Sequence, residues 1–294
     1  MKHNPFITEI LRGEWLIHEP EVYYELVENF RKTGVFNFKN NSEDIDLSAF
    51  SILDEFGTAL RVDEKMTLPR NSIAQIALRG EIAAYSDWCI QGADQIVENL
   101  FKAQENNNVD ATIFRIDTPG GSVKAGDNFS EFGRYKKKPV VGLVKDALSL
   151  GYLAAIECCD YIMMDGDFSS RVGSIGVVAT LRDNTKMLED AGVKVHEIYP
   201  PESNFKNKDV QDAKKGEYAG IIKNALSPLA KGFQGRVIEL RPNLVQEAGV
   251  INGGVYFAKD AVRLGLADGI GDIRKAIEKA RELALKASVT NSLR

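Results

Sequence analysis

The sequence predicts an α/β protein built on parallel strands, and three observations carry that prediction. From Ser72 onward, apolar runs of strand length alternate with helix-length stretches. The run Val140-Val141-Gly142-Leu143-Val144 lacks the every-second-residue pattern of a half-exposed strand, so it reads as buried on both faces. Turn signals such as Asn106-Asn107-Asn108 and Pro119-Gly120-Gly121 fall where the pattern changes.

In chain order, Ile7 to Phe30 has helical amphipathicity, broken near Glu19-Pro20. Residues from Asn37 to Arg70 are polar and acidic, with one apolar island at Phe50 to Phe56. Residues 1–70 are therefore expected to form an N-terminal helical appendage and linker. Ile73 to Leu78 is the first strand of the core, and Ser86 or Asp87 is expected to cap a helix whose Ile90, Ala93, Val97, Leu100 and Phe101 share one face. Ala111 to Ile116 is the next strand, Lys124 to Tyr135 a helix, and Lys136-Lys137-Lys138 a solvated turn into the Val140 strand. A buried, Ala- and Leu-rich helix follows Ser149. A strand is expected at Tyr161 to Met164, followed by the segment Gly173-Ser174-Ile175-Gly176-Val177-Val178, then a helix from Asn184 to Ala191 and a strand from Val193 to Tyr199. Helices fill Gly216 to Arg241, Gly254 to Phe257 opens the last unit, and an amphipathic helix begins at Asp272. The expected division is 1–70, a core domain at 71–271, and a C-terminal helix and tail at 272–294.

A chain of 294 residues can bury a sizeable core, and 44% hydrophobic with 27% charged residues is ordinary for a soluble protein. The net charge of −5 gives no reason to expect a nucleic-acid partner. Cys89, Cys158 and Cys159 are too few for a disulfide framework and lack metal-site spacing, so all three are expected to be reduced, in the cytoplasm. Glu9, Arg12 and Glu14 interrupt any leader-like apolar core, and Glu157 and Asp160 break the longest apolar run, so no membrane span is expected.

The chemistry gathers at two strand ends. Ser149 stands where a buried strand gives way to a buried helix, with the amides of the helix's first turn free to donate. That suits a nucleophile; it also suits a plain helix cap. Asp117-Thr118-Pro119-Gly120-Gly121 ends another buried strand, and paired glycines there bring backbone amides close to a ligand. A serine nucleophile needs a base. The three histidines, His3, His18 and His196, are poorly placed for one, two in the appendage and one inside a strand. A desolvated, neutral lysine could serve instead, and the residues alone do not select one.

Taken together, Asp117-Thr118-Pro119-Gly120-Gly121-Ser122-Val123, then Asp146-Ala147-Leu148-Ser149-Leu150-Gly151-Tyr152, then Gly173-Ser174-Ile175-Gly176-Val177, resemble the signal peptide peptidase A family of Ser–Lys serine peptidases. Val255-Tyr256, Ala261 and Gly265-Leu266-Ala267-Asp268 extend the resemblance toward the C-terminus. It implies a Clp protease/crotonase-like fold of repeated β-β-α units. It also implies Ser149 as nucleophile and Lys206, in Ser203-Asn204-Phe205-Lys206, as base, with Lys208 the alternative. The amides of Gly121 and Leu150 would form the oxyanion hole, and Ser174 would position the lysine. No metal or organic cofactor is implied.

Two positions depart from the family pattern: Leu150 stands where Gly or Ala is usual, and the prolines often found after the lysine are missing. Leu150 is expected to narrow the substrate pocket beside Ser149. Trp15-Leu16-Ile17-His18-Glu19-Pro20-Glu21-Val22-Tyr23 is similar to the opening of bacteriophage head proteases, which process capsid or scaffold proteins. The expectation is a homo-oligomeric phage-type protease acting in the host cytoplasm or a prohead. A signal-peptide-peptidase-like protease, a non-catalytic scaffold of the same fold, and a crotonase-type acyl-CoA enzyme are the alternatives.

Overall fold

The computed structural model describes residues 15–17, 51–53, 57–61, 68–86, 91–181, 183 and 185–292. Its strands are β1 (Trp15–Ile17), β2 (Ser51–Leu53), β3 (Ala59–Arg61), β4 (Ser72–Arg79), β5 (Val109–Thr118), β6 (Gly120–Ser122), β7 (Val140–Leu148), β8 (Tyr161–Asp165), β9 (Arg171–Gly173), β10 (Val255–Phe257) and β11 (Gly269–Gly271). Its main helices are α1 (Ala93–Glu105), α2 (Gly126–Tyr135), α3 (Leu150–Cys158), α4 (Thr185–Asp190), α5 (Lys208–Lys214), α6 (Ser227–Leu240), α7 (Ala258–Arg263) and α8 (Ile273–Ser292).

The parallel sheet expected from the alternation is present: β4, β5, β7 and β8 are parallel neighbours, with β11 parallel beside β8. The apolar run at 140–144 becomes the first half of β7, which is buried throughout, and that half pairs with β8. The second half, Asp146–Leu148, leaves β8 and pairs with β9 instead. The sheet thus forks at Lys145, and the fork turns Ser149 away from the main sheet. Helices α1, α2 and α3 bury Ile96, Leu100, Phe129, Phe132 and Ala154 on one face. On the other face α8 lays Ala276, Ile277 and Ala280 against Ile113, Val141 and Leu143. The β-β-α unit recurs as β5–β6–α2, and in a reduced form where Ile82 bridges Gly121 between β4 and α1.

Several expectations change. Trp15–Ile17, inside the stretch read as helical, is a strand; the rest of Ile7 to Phe30 lies outside the described residues, as do His3, His18 and Cys89. Within 1–70, β2 extends the main sheet antiparallel to β4, and β3 adds antiparallel to β2, with Ile52 and Leu53 buried. A polar composition hid two strands short enough to be set by their neighbour and not by their own pattern. The first helix starts at Ala93, not near Asp87, because Ser86 closes the preceding loop: its Oγ accepts from Gly92 N–H and donates to Asp94, at 2.8 and 2.6 Å. Of the Lys136–Lys138 turn, Lys136 is tied to Cys158 O and Asp160, and Lys138 to Asn106 O, so these two lysines pin helix ends. Val193 to Tyr199 is exposed and forms no strand, since strand-like composition needs a partner strand and no described one borders it.

Candidate active site

Strand register brings the two chemical motifs to one edge. Thr118 of β5 lies opposite Ala147 of β7, so the residues two places further on, Gly120 and Ser149, leave the sheet side by side. Thr118 holds the first of them, its Oγ1 donating to Gly80 O at 2.6 Å and accepting Gly120 N–H at 3.1 Å. Gly121 has no room for a side chain: a Cβ there would come within 2.1 Å of Ile82 O. The glycine pair therefore reflects a close approach of backbone to backbone, with Ile82 N–H donating to Gly120 O and Ser122 N–H to Ile82 O.

Ser149 is 2% exposed and caps α3 with φ 53° and ψ −120°. A side chain at positive φ is uncommon and strained, and it persists only where its surroundings fix it. Here Ser149 N–H donates to Gly173 O at 2.8 Å, while Ser149 O accepts from Tyr152 and Leu153 N–H. β9 is held for this purpose by Asp146 and Arg171, whose side chains pair across the β7–β9 register. Ser174, the residue after that carbonyl, also has positive φ, 54°, and its N–H donates to Gly254 O. Ser149 and Ser174 thus end neighbouring parallel strands in matching strained turns.

Leu150 and Gly151 open α3, so their N–H groups precede the first intrahelical bond and have no backbone acceptor among the described residues. Gly151 packs so tightly on Thr118 that a Cβ would meet its Cγ2 at 2.4 Å. The expectation that Leu150 narrows a substrate pocket is overturned. Its side chain is fully buried in the core and leans on the bare backbone of Gly126. A residue in the first helical turn points back beneath the helix, and here that direction is the interior.

The two lysines are placed differently. Lys206 is exposed in the turn between the 3₁₀ helix Pro201–Ser203 and α5, and no hydrogen bond joins it to Ser149 among the described residues. Lys208 Nζ donates to Asp212 at 2.8 Å, and that bond raises its pKa, the wrong direction for a base. Beside the site lies a largely apolar cavity of about 570 Å³, lined among others by Val123, Val177, Leu181, Phe205, Lys208 and Leu229. Val123 follows β6 and Val177 stands three residues after Ser174, so two of the cavity's lining residues lie close along the chain to the two turns.

Sequence reading missed the residues that hold this arrangement. Thr118 and Asp146 were visible as motif members, and Arg171 as an isolated charge beside a strand. Ile82 and Gly173 act through main-chain groups and leave no side-chain signature. Among the described residues no cluster of three or more metal-ligating side chains gathers, and no helix is long and apolar enough to cross a membrane.

With this geometry in hand, comparison with known proteins is informative. Protease 4 of Haemophilus influenzae is 30% identical over 72% of this chain and 35% of its own length. The chloroplastic serine protease SPPA of Arabidopsis thaliana is 28% identical over 65% of this chain and 28% of its own. The chain spans about a third of the length of the curated relatives it matches. Among solved structures, a 1510-N membrane-bound stomatin-specific protease aligns with TM-score 0.44 and 18% identity over 69% of this chain and 77% of that one. The sequence model of peptidase family S49 matches residues 133–287, just over half of the chain and a span containing Ser149, Ser174 and Lys206, so the chain belongs to peptidase family S49.

Proposed function

We propose that the chain is a serine endopeptidase with Ser149 as nucleophile and Lys206 as its base. The observation that carries this reading is the strained, buried Ser149 beside two unspent first-turn amides, facing the glycine turn across one strand register. Neutral Lys206 takes the hydroxyl proton, Ser149 Oγ attacks a peptide carbonyl, and the amides of Gly121 and Leu150 receive the oxyanion. Ser174 orients the lysine, and water releases the acyl-enzyme. Lys206 must first be carried to Ser149 and out of water, because a proton passes only over hydrogen-bond distance and desolvation favours an uncharged amine. Substrate docking or assembly into a homo-oligomer supplies that step. The apolar cavity beside Val123 and Val177 takes a substrate side chain.

The substrate we infer is a capsid or scaffold protein cleaved during phage head assembly in the bacterial cytoplasm. This rests on the likeness of Trp15 to Tyr23 to phage head proteases, of which His18 to Tyr23 lie outside the described residues. A cytoplasmic peptidase of signal-peptide-peptidase type fits the same site. A non-catalytic scaffold is favoured by one observation, the exposure of Lys206 with no hydrogen bond to Ser149 among the described residues. Labelling with a serine-directed fluorophosphonate decides between enzyme and scaffold. The enzyme is labelled at Ser149, and Lys206→Ala removes both labelling and peptide cleavage. An unlabelled native protein that binds capsid protein overturns the catalytic reading.

A further inference from the structure

The glycine turn has two edges, and the chain covers both. Ile82 takes one, accepting from Ser122 N–H at 2.8 Å and donating to Gly120 O at 2.9 Å. Main-chain groups alternate sides along a strand, so the N–H and C=O of Gly121 face the opposite edge. On that edge lies β1, antiparallel, with Trp15 opposite Ser122, Leu16 opposite Gly121 and Ile17 opposite Gly120. Leu16 and Gly121 are therefore the hydrogen-bonded pair of this ladder: Gly121 N–H donates to Leu16 C=O, and Leu16 N–H donates to Gly121 C=O. Under the reading of Gly121 as an oxyanion donor, on which this inference rests, the chain's own carbonyl sits at the amide that a scissile carbonyl needs.

We propose that Trp15–Ile17 is a built-in plug. It occupies in cis the strand edge where an extended substrate would dock, and it holds the Gly121 amide until displaced. The occupant is this segment of the chain and not a second copy, because register and polarity are already satisfied within one chain. The ladder joins main-chain groups, so an extended peptide of sufficient concentration can compete for the edge. A tethered strand needs little intrinsic affinity to win, since its effective concentration is high.

The test uses the full-length chain and two proline variants. Leu16→Pro removes the N–H that Gly121 C=O accepts and disrupts the ladder. Ile17→Pro removes an N–H that faces away from β6 and leaves this ladder intact. Hydrogen exchange at Gly121 and the rate of fluorophosphonate labelling at Ser149 are measured on each. Leu16→Pro is expected to speed both by ~3-fold or more, the population change that loss of one main-chain bond brings, with Ile17→Pro unchanged. Equal Gly121 exchange in wild type and Leu16→Pro overturns the plug whatever Ser149 does. Faster exchange with unchanged labelling shows that β1 does not gate the site and also overturns it. A chain recovered with Ile17 as its first residue makes β1 a substrate and overturns it too. Absence of label in every variant, with exchange still responding to Leu16→Pro, refutes the nucleophile reading and leaves the strand contact standing.

Discussion

Arg236 offers the sharpest test of what holds α3, the helix that begins at Ser149. Its guanidinium donates to both carboxylate oxygens of Glu157 in the last turn of α3, at 2.5 and 2.8 Å, and Ser130 Oγ donates to the same carboxylate at 2.9 Å. The Glu157 side chain is 1% exposed and the Arg236 side chain 31% exposed. Removing Arg236 leaves a buried carboxylate with one hydroxyl donor, and breaking a buried pair from one side costs about 3–5 kcal/mol. Some water reaches the space vacated by a partly exposed arginine, so the lower end, about 3 kcal/mol, is expected for Arg236→Ala. For a chain of this size that is a fall of roughly 6–12 °C in Tm, read by calorimetry or denaturant melts. The double variant Glu157→Leu with Arg236→Leu removes both charges and is expected within about 1 kcal/mol of wild type, because apolar replacement of a whole buried pair is often neutral. The labelling rate of folded Arg236→Ala is expected to change little, since Ser149 is placed by β7, Gly173 and the first turn of α3. A loss below about 1 kcal/mol would mean the pair behaves as an exposed salt bridge, and the reasoning fails.

Ser149→Ala and Lys206→Ala should each abolish peptide cleavage with folding intact, the double variant losing little more, while Lys208→Ala stays active; dead Lys208→Ala beside active Lys206→Ala reverses the assignment. Leu150→Ala should cost about 2–5 kcal/mol in denaturant melts as a core cavity without altering peptide preference; a broadened preference would restore the pocket-narrowing role. Burial pushes the Cys158 thiol up and the Cys159 thiol up to about 12 from 9.0, the Cys159 sulfur lying inward against Gly142. Both should resist iodoacetamide at pH 8 in a Cys89→Ser chain, and stability should fall as pH rises from 9 toward 12, because the unfolded thiols lose protons first. A chain starting at Pro69 loses β2, which pairs with β4 and buries Ile52 and Leu53, so it should aggregate or melt early; an equally stable shortened chain would restore residues 1–70 as a separable appendage.

The parallel sheet was legible because a strand buried on both faces cannot alternate, and β7 shows it in five consecutive buried residues, Val140–Val144. Ser149, Gly121, Leu150 and Ser174 stood out as motif positions because they fall at strand ends. Their geometry was not. Positive φ at Ser149 depends on Gly173 O, and the fit of Gly121 depends on Ile82 O, both supplied by distant chain through atoms every residue has. Leu150 misled for a related reason: sequence proximity to a nucleophile says nothing about which side of the helix a side chain leaves. β2 and β3 were illegible because three-residue strands carry too few residues to show a period.

The two halves of the candidate site are built by opposite means. The serine half is over-determined. Thr118 pins Gly120, Ile82 pins the glycine turn, Gly173 pins Ser149, and the Asp146–Arg171 pair pins β9. Strain at Ser149 survives only inside such a frame, and the frame fixes the proposed nucleophile and the glycine turn beside it. The lysine half has no comparable frame. Lys206 follows a largely exposed stretch, Val193 to Tyr199, whose strand-like composition finds no partner strand among the described residues, and Phe205 beside it is 80% exposed. Catalysis by a Ser–Lys pair requires the lysine to lose water, and that loss is what this chain postpones. On the proposed reading, β1 on the Gly121 edge and Lys206 in solvent leave Ser149 shaped but idle. On the same reading, an arriving strand that displaces β1 and covers the lysine segment would complete both halves in one event and would tie peptide cleavage to the correct partner.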